Sequence, residues 1–222
     1  MIIEQPKVFV PKAELHTDKL KNLEKFGRVC YKSEDLISED SADKFLRKIL
    51  SIGHESVIEH EKATVIFVVD RGISHEIVRH RIASYSQEST RYCNYSRSKF
   101  SNEITVIEPF FYKNRKELYG CWKNSCEEAE KAYMKLVSCE STAQEARSVL
   151  PNSLKTEIVV TYNFREWRHF FKLRCSREAH PQMRQVTIPL LLLFKDKMPV
   201  LFEDIKYDER FPQEYYAEII LT

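Results

Sequence analysis

The chain has 222 residues, 43% of them hydrophobic and 31% charged, with a net charge of +2. That length suits one large domain, and the balance of signs excludes a nucleic-acid coat or a protein held to anionic membranes by bulk charge, so any anion site must be local. The longest apolar runs, TVIFVV and IPLLLLF, are too short to cross a bilayer, and the opening MIIEQPKVFVPKAELH lacks the apolar centre of a secretory signal, which makes the cytoplasm the expected compartment.

In chain order, KVFV (7–10) reads as a short strand. SEDSADKFLRKILSIG (38–53) reads as a helix, capped by Asp40 or Ser41, with Phe45, Leu46, Ile49 and Leu50 on its apolar face and Gly53 at its end. KATVIFVVD (62–70) is β-branched and predicts a buried strand. ISHEIVRHRI (73–82) has helical spacing and runs into a serine-rich loop, followed by EITVIEPFFY. A long helix is expected from about 115 to 138, and a second from Ser141, where S-T-A-Q has capping-box spacing, through Arg147 to the stop before Pro151. LKTEIVVTYNF (154–164) alternates as a strand. Asn163 with Glu166 looks like an N-cap and its box partner, opening a helix with Trp167, Phe170, Phe171 and Arg174 on one face. A last helix starts near Pro181, with a kink at Pro189. The mixture of strands and helices without a linker or repeat indicates a single α+β domain over 1–222, with a mixed or antiparallel sheet flanked by helices.

There are four glycines, Gly27, Gly53, Gly72 and Gly120, all far apart. Neither a P-loop nor a G-x-G-x-x-G turn can exist, so a nucleotide would have to be held by side-chain cations in place of backbone amides. The six cysteines form no C-x-x-C pair and read as reduced, packed thiols. HESVIEH (54–60) has two histidines, but six apart and so on different faces of a helix, unlike H-E-x-x-H. A polar turn is the plainer reading, and no metal is expected. RHRIASYSQESTRY (79–92) is either a solvated basic turn or a phosphate site, in which arginine forks and serine hydroxyls would share an anion's oxygens. In NFREWRHFFKLR (163–174) the aromatics read as core. Arg174 falls on that apolar face and must find a partner or line a pocket.

Three segments carry a resemblance that covers roughly residues 25 to 200. Arg79-His80-Arg81, seven residues, then Ser89 resembles the signature of the flavin-dependent thymidylate synthases. GHESVIEH resembles that family's H-x-[ST]-x-x-E-H segment, and the stretch from Arg147 through L-P to N-x-R and a final L-R resembles its third conserved region. The resemblance implies reductive methylation of dUMP to dTMP, with methylenetetrahydrofolate as carbon donor and FAD, reduced by NADPH, as hydride donor. It also implies a homotetramer with shared active sites. Carried over by position, it implies that Arg79, Ser89, Arg91 and Arg174 contact dUMP, with Gln87, Glu88 and Thr90 lining the same loop, Glu76 nearby, and Arg147 reaching the nucleotide from a neighbouring subunit. It places His54, Ser56, Glu59, Arg79, His80, Arg81 and Gln87 at the flavin, with Asn163, Arg165 and His169. Glu76, Gln87 and His169 stand where some relatives carry glutamine, glutamate and asparagine. Arg174 would stabilise charge on the uracil without a cysteine nucleophile, and Ser89 would position phosphate. A nucleotide- or RNA-binding module using the same arginines, and a different flavin reductase, are the alternatives.

Overall fold

The computed structural model describes residues 1–222, the side chain of Lys99 excepted. Its strands are β1 (Ile2–Glu4), β2 (Lys7–Val10), β3 (Lys62–Asp70), β4 (Ala83–Gln87), β5 (Thr105–Ile107), β6 (Lys155–Asn163) and β7 (Glu218–Leu221). Its helices are α1 (Asp18–Val29), α2 (Ser41–Ser51), α3 (Arg71–Ile77), α4 (Lys116–Ser138), α5 (Ala143–Ala146), α6 (Phe164–Arg174), α7 (Pro181–Lys197) and α8 (Pro199–Phe202). Five strands form a sheet in the order β4-β6-β3-β2-β7, and β1 pairs with β5 in parallel. In β6 the expected alternation holds: Thr156, Ile158, Val160 and Tyr162 are buried while their neighbours are not. No described helix is long and apolar enough to cross a membrane.

The chain divides into two compact units, each assembled from segments distant in sequence. The first comprises residues 1–7, 67–79 and 86–158. Its core gathers Tyr95, Ile104, Val106, Cys126, Tyr133, Ala146 and Leu154, so α4 contributes Cys126 and Tyr133 from one stripe. The second comprises residues 8–66, 80–85 and 159–222. Its centre is aromatic: Trp167 lies 5.4 Å from Phe171 and 5.2 Å from Phe194, with Phe202 a further 5.1 Å from Phe194. Gly27 lets α1 approach α2 closely, because a Cβ there would stand 2.6 Å from the Phe45 ring.

Several local expectations shift. Asp70 accepts from Ile73 N and opens α3, which ends at Ile77 rather than Ile82. A helix continued beyond Ile77 would bring His80 and Arg81 next onto its apolar face; the chain instead leaves the helix there and enters β4 at Ala83, beside β6. Part of the expected serine-rich loop is therefore strand. The box on α5 belongs to Thr142 and Glu145, one residue later than Ser141 and Gln144. Neither Asp40 nor Ser41 caps α2 through its side chain; Ser41 Oγ instead donates to Glu24 at 2.8 Å. Gly53 does end that segment, in the left-handed region at φ 78°. Helix α7 runs on through Pro189.

Candidate active site

The R-H-R triplet sits between α3 and β4, off any helix. Side chains there alternate: Arg79 is exposed, His80 is buried and Arg81 is exposed. Three consecutive bases thus face different surroundings. Arg79 and Arg81 are paired with no carboxylate among the described residues.

In the first unit the residues after β4 form an ordered loop. Gln87 Nε2 donates to Ser74 Oγ at 2.8 Å and Thr156 Oγ1 at 3.2 Å. Glu88 accepts from the Tyr95 hydroxyl at 3.1 Å and meets Lys155 Nζ at 3.4 Å. Burial and the Glu88 carboxylate push the Tyr95 phenol well above its usual range, so it stays a donor. Glu88 is therefore an anchor under the loop. The Ser89 carbonyl accepts from Tyr92 N and Cys93 N, which closes a tight turn. Thr90 is buried, and Arg147 Nη1 reaches its Oγ1 at 3.5 Å. Arg147 thus stands beside the Ser89–Arg91 turn of its own chain. Two exposed guanidiniums, Arg91 and Arg147, and the hydroxyls of Ser89 and Thr90 make a donor set suited to a phosphate. Glu76 is half-buried on α3.

In the second unit, α6 carries the other group. Asn163 Oδ1 accepts from Glu166 N at 2.8 Å, as its capping position predicts. The Glu166 side chain does not return to the cap. It is buried and accepts from His80 Nδ1 at 2.8 Å. On the other side of the ring, Arg174 Nε donates to His80 Nε2 at 3.2 Å. His80 is only 4% exposed, held against Phe170 at 5.0 Å, with its carbonyl accepting from the Tyr85 hydroxyl at 2.5 Å. Burial lowers the His80 pKa, and the neighbouring Arg174 and His169 act in the same direction against Glu166. A neutral ring results. His80, Glu166 and His169 bring ligand atoms within 4.8 Å of one another. Both His80 nitrogens are engaged, Nδ1 by Glu166 and Nε2 by Arg174.

Beside this chain of contacts lies a groove of about 440 Å³, lined by Glu55, Glu59, Ile82, Arg165, Glu166 and Lys172, with Asn163 and His169. The volume lies in the range of small-molecule pockets. Its donors are the Arg165 guanidinium, 51% exposed, and the Lys172 ammonium; its apolar wall is Ile82, 66% exposed. Cations and an amide beside an apolar face suit a flavin, whose flat ring has an apolar benzenoid end and a polar pyrimidine edge and whose tail is anionic, so the residues present fit that group. Arg165 is meanwhile held by Glu59 and lies 3.7 Å from Glu55, so a phosphate reaching it must replace a carboxylate. His54 and Ser56 do not line this groove. His54 Nδ1 pairs with the Tyr31 hydroxyl at 2.7 Å, and Ser56 is exposed. Sequence reasoning missed Glu55, Lys172 and the role of the Glu166 side chain. The spacing of Asn163 and Glu166 marked the cap but not where the carboxylate would turn.

Cys175, next to Arg174, is fully buried, and burial pushes its thiol up to about 12. It is not a thiolate at neutral pH.

Comparison with known proteins gives a consistent set. Residues 14–200 match the family model described as thymidylate synthase complementing protein. The chain is 38% identical over 185 residues to the flavin-dependent thymidylate synthase of Geobacter sulfurreducens, covering 80% of this chain and 78% of that one. It is 38% identical over 169 residues to the enzyme of the same description from Pyrococcus furiosus, covering 75% and 68%. A crystal structure of the UMP/dUMP methylase PolB from Streptomyces cacaoi, bound with 5-Br dUMP, superposes with a TM-score of 0.77 at 20% identity, covering 91% of this chain and 96% of that one. That likeness establishes the fold, and it bears out the expected combination of helices with a mixed sheet.

Proposed function

This chain belongs to the flavin-dependent thymidylate synthase family, and we propose that it converts dUMP to dTMP with methylenetetrahydrofolate as carbon donor and NADPH as reductant. Residues 1–222 act in this reading as one synthase domain, in the cytoplasm, in a homotetramer with shared active sites. Bound FAD, once reduced, supplies the hydride that takes the transferred carbon from the methylene to the methyl level.

The residues divide the remaining work. Ser89, Thr90, Arg91 and Arg147 hold the dUMP phosphate, on a turn braced by Gln87 and Glu88, with Arg79 and Glu76 completing the nucleotide contacts. Asn163, Arg165, Glu59 and His169 hold the flavin, with Arg81 and Arg79, and with His54, Ser56 and Gln87 at its periphery. Arg174 faces the uracil. It brings a planar, delocalised cation that stabilises negative charge as uracil N3 ionises, which raises electron density at C5. No cysteine adds to C6 in this reading, and the burial of Cys175 supports that.

The observation that carries the reading is the held guanidinium. Arg174 is fixed by a neutral, buried histidine, and Glu166 at the far end of that chain lines the groove. The test is the visible spectrum of purified protein, taken anaerobically. Yellow protein should bleach with NADPH and reoxidise only when dUMP and methylenetetrahydrofolate are both added, with dTMP formed. Bleaching without dTMP formation would make it a flavin reductase, and protein that neither holds nor takes up FAD would refute the assignment.

A further inference from the structure

We propose that Glu166 is a positioning residue for Arg174, acting through His80; this rests on the reading of Arg174 as the group that faces uracil. The geometry admits one arrangement of protons. Arg174 Nε has only a proton to give, so His80 Nε2, 3.2 Å away, presents its lone pair. The single proton of the neutral ring then sits on Nδ1 and is donated to Glu166 Oε1 at 2.8 Å. Glu166 thereby selects the tautomer that can hold Arg174. Without that acceptor the ring can carry its proton on Nε2, where it meets the Arg174 N–H donor to donor. Arg174 Nε then loses its acceptor, although no atom of Arg174 has been changed.

The surroundings remove the ring's other options. His80 packs against Phe170, with the Tyr162 ring centred 6.0 Å away and the His169 ring 5.4 Å away. Its carbonyl is pinned by Tyr85, whose hydroxyl also meets that of Tyr162 at 2.8 Å. The charged and titratable groups facing the ring are Glu166, Arg174 and His169, together with those two phenols. Of these, Glu166 is the acceptor at Nδ1. The ring is thus an insulated link: a carboxylate at one end, a permanent cation at the other, and a tautomer set by the carboxylate.

The test is ¹⁵N NMR of the flavin-loaded protein labelled at histidine, with the His80 signals assigned by substitution. The wild type should show His80 neutral with its proton on Nδ1. Glu166→Ala should shift population to the Nε2–H form, and Glu166→Gln, whose amide oxygen can still accept, should largely keep the wild-type tautomer. In turnover, Glu166→Ala should lower kcat for dTMP formation, taken per bound flavin because Glu166 also lines the groove, by about tenfold or more, the scale of losing an orienting partner, with KM for dUMP nearly unchanged. Adding it to Arg174→Ala should cost nothing further. A proton on Nε2 in the wild type, or a tautomer indifferent to Glu166→Ala, would overturn the proposal, as would an equal loss in the Arg174→Ala background. Where Glu166→Ala does not accumulate as folded protein, Glu166→Leu, which fills the space but cannot accept, takes its place, and an unchanged His80 tautomer in that variant decides against the proposal. Normal turnover of Arg174→Ala would instead refute the role of Arg174, while the NMR result still reports on Glu166.

Discussion

Replacing Arg174 is the most direct probe of the chemistry. Its Nε donates to His80 at 3.2 Å, which helps to fix the direction of the guanidinium. In the proposed role, Arg174→Ala removes a charged donor facing the reacting ring. Losing one such donor costs about 10²- to 10³-fold in kcat, or roughly 3–4 kcal/mol of transition-state stabilisation. Arg174→Lys keeps the charge, but a single ammonium cannot serve His80 and the uracil in the same geometry. It should fall between the wild type and alanine, with a loss of about tenfold or more. The assay is single-turnover dTMP formation by protein reduced beforehand, with FAD content and dUMP binding measured in parallel. Flavin loading should stay normal and the chemical step should slow. Near-normal turnover by a flavin-loaded Arg174→Ala protein would refute electrostatic activation by this residue.

Other outcomes follow from the same geometry. Cys175→Ser should keep dTMP formation within about twofold, because a fully buried thiol pushed up to about 12 is no nucleophile; burying a hydroxyl there should lower stability by about 1–2 kcal/mol in thermal unfolding. A dead but folded variant would reopen a covalent route. His80 has a lowered pKa, so its unfolded form takes up a proton at higher pH than the folded form. Its contribution to stability is fully present above about 6.5 and is lost as pH falls from there through the lower folded value. Denaturant titrations of wild type and His80→Gln should therefore differ in slope against pH below that point; parallel profiles would contradict a neutral buried ring. Glu88→Ala removes the brace that Tyr95 and Lys155 place under the Ser89–Arg91 turn. It should raise KM for dUMP several-fold with flavin binding unchanged, measured by steady-state kinetics. Arg147→Ala should also weaken dUMP, by about tenfold for one phosphate-directed guanidinium, and the loss should shrink at high salt.

Much of this protein was legible before any coordinates. β-branched composition placed β3, periodicity placed β6 and α4, and the Asn163 cap placed the start of α6, each within a residue or so, because these signals are local in sequence. The order of R-H-R, Ser89, Arg147 and Arg174 pointed to the chemistry, and the scarcity of glycine excluded backbone phosphate cradles. The end of α3 was not legible, since helical spacing continues past Ile77, whereas the place of β4 beside β6 is a pairing with a strand distant in sequence. Nor could sequence say that Glu88 would turn to Tyr95 and Lys155, or that His54 would turn to Tyr31. Glu166 shows the difference most clearly. Three residues after Asn163 it satisfies the capping pattern, and its backbone amide does take the cap. Its carboxylate goes instead to His80, 86 positions earlier in the chain. Caps and stripes are decided by neighbours a few residues apart, whereas the proton on a buried imidazole depends on which groups the fold brings to its two nitrogens.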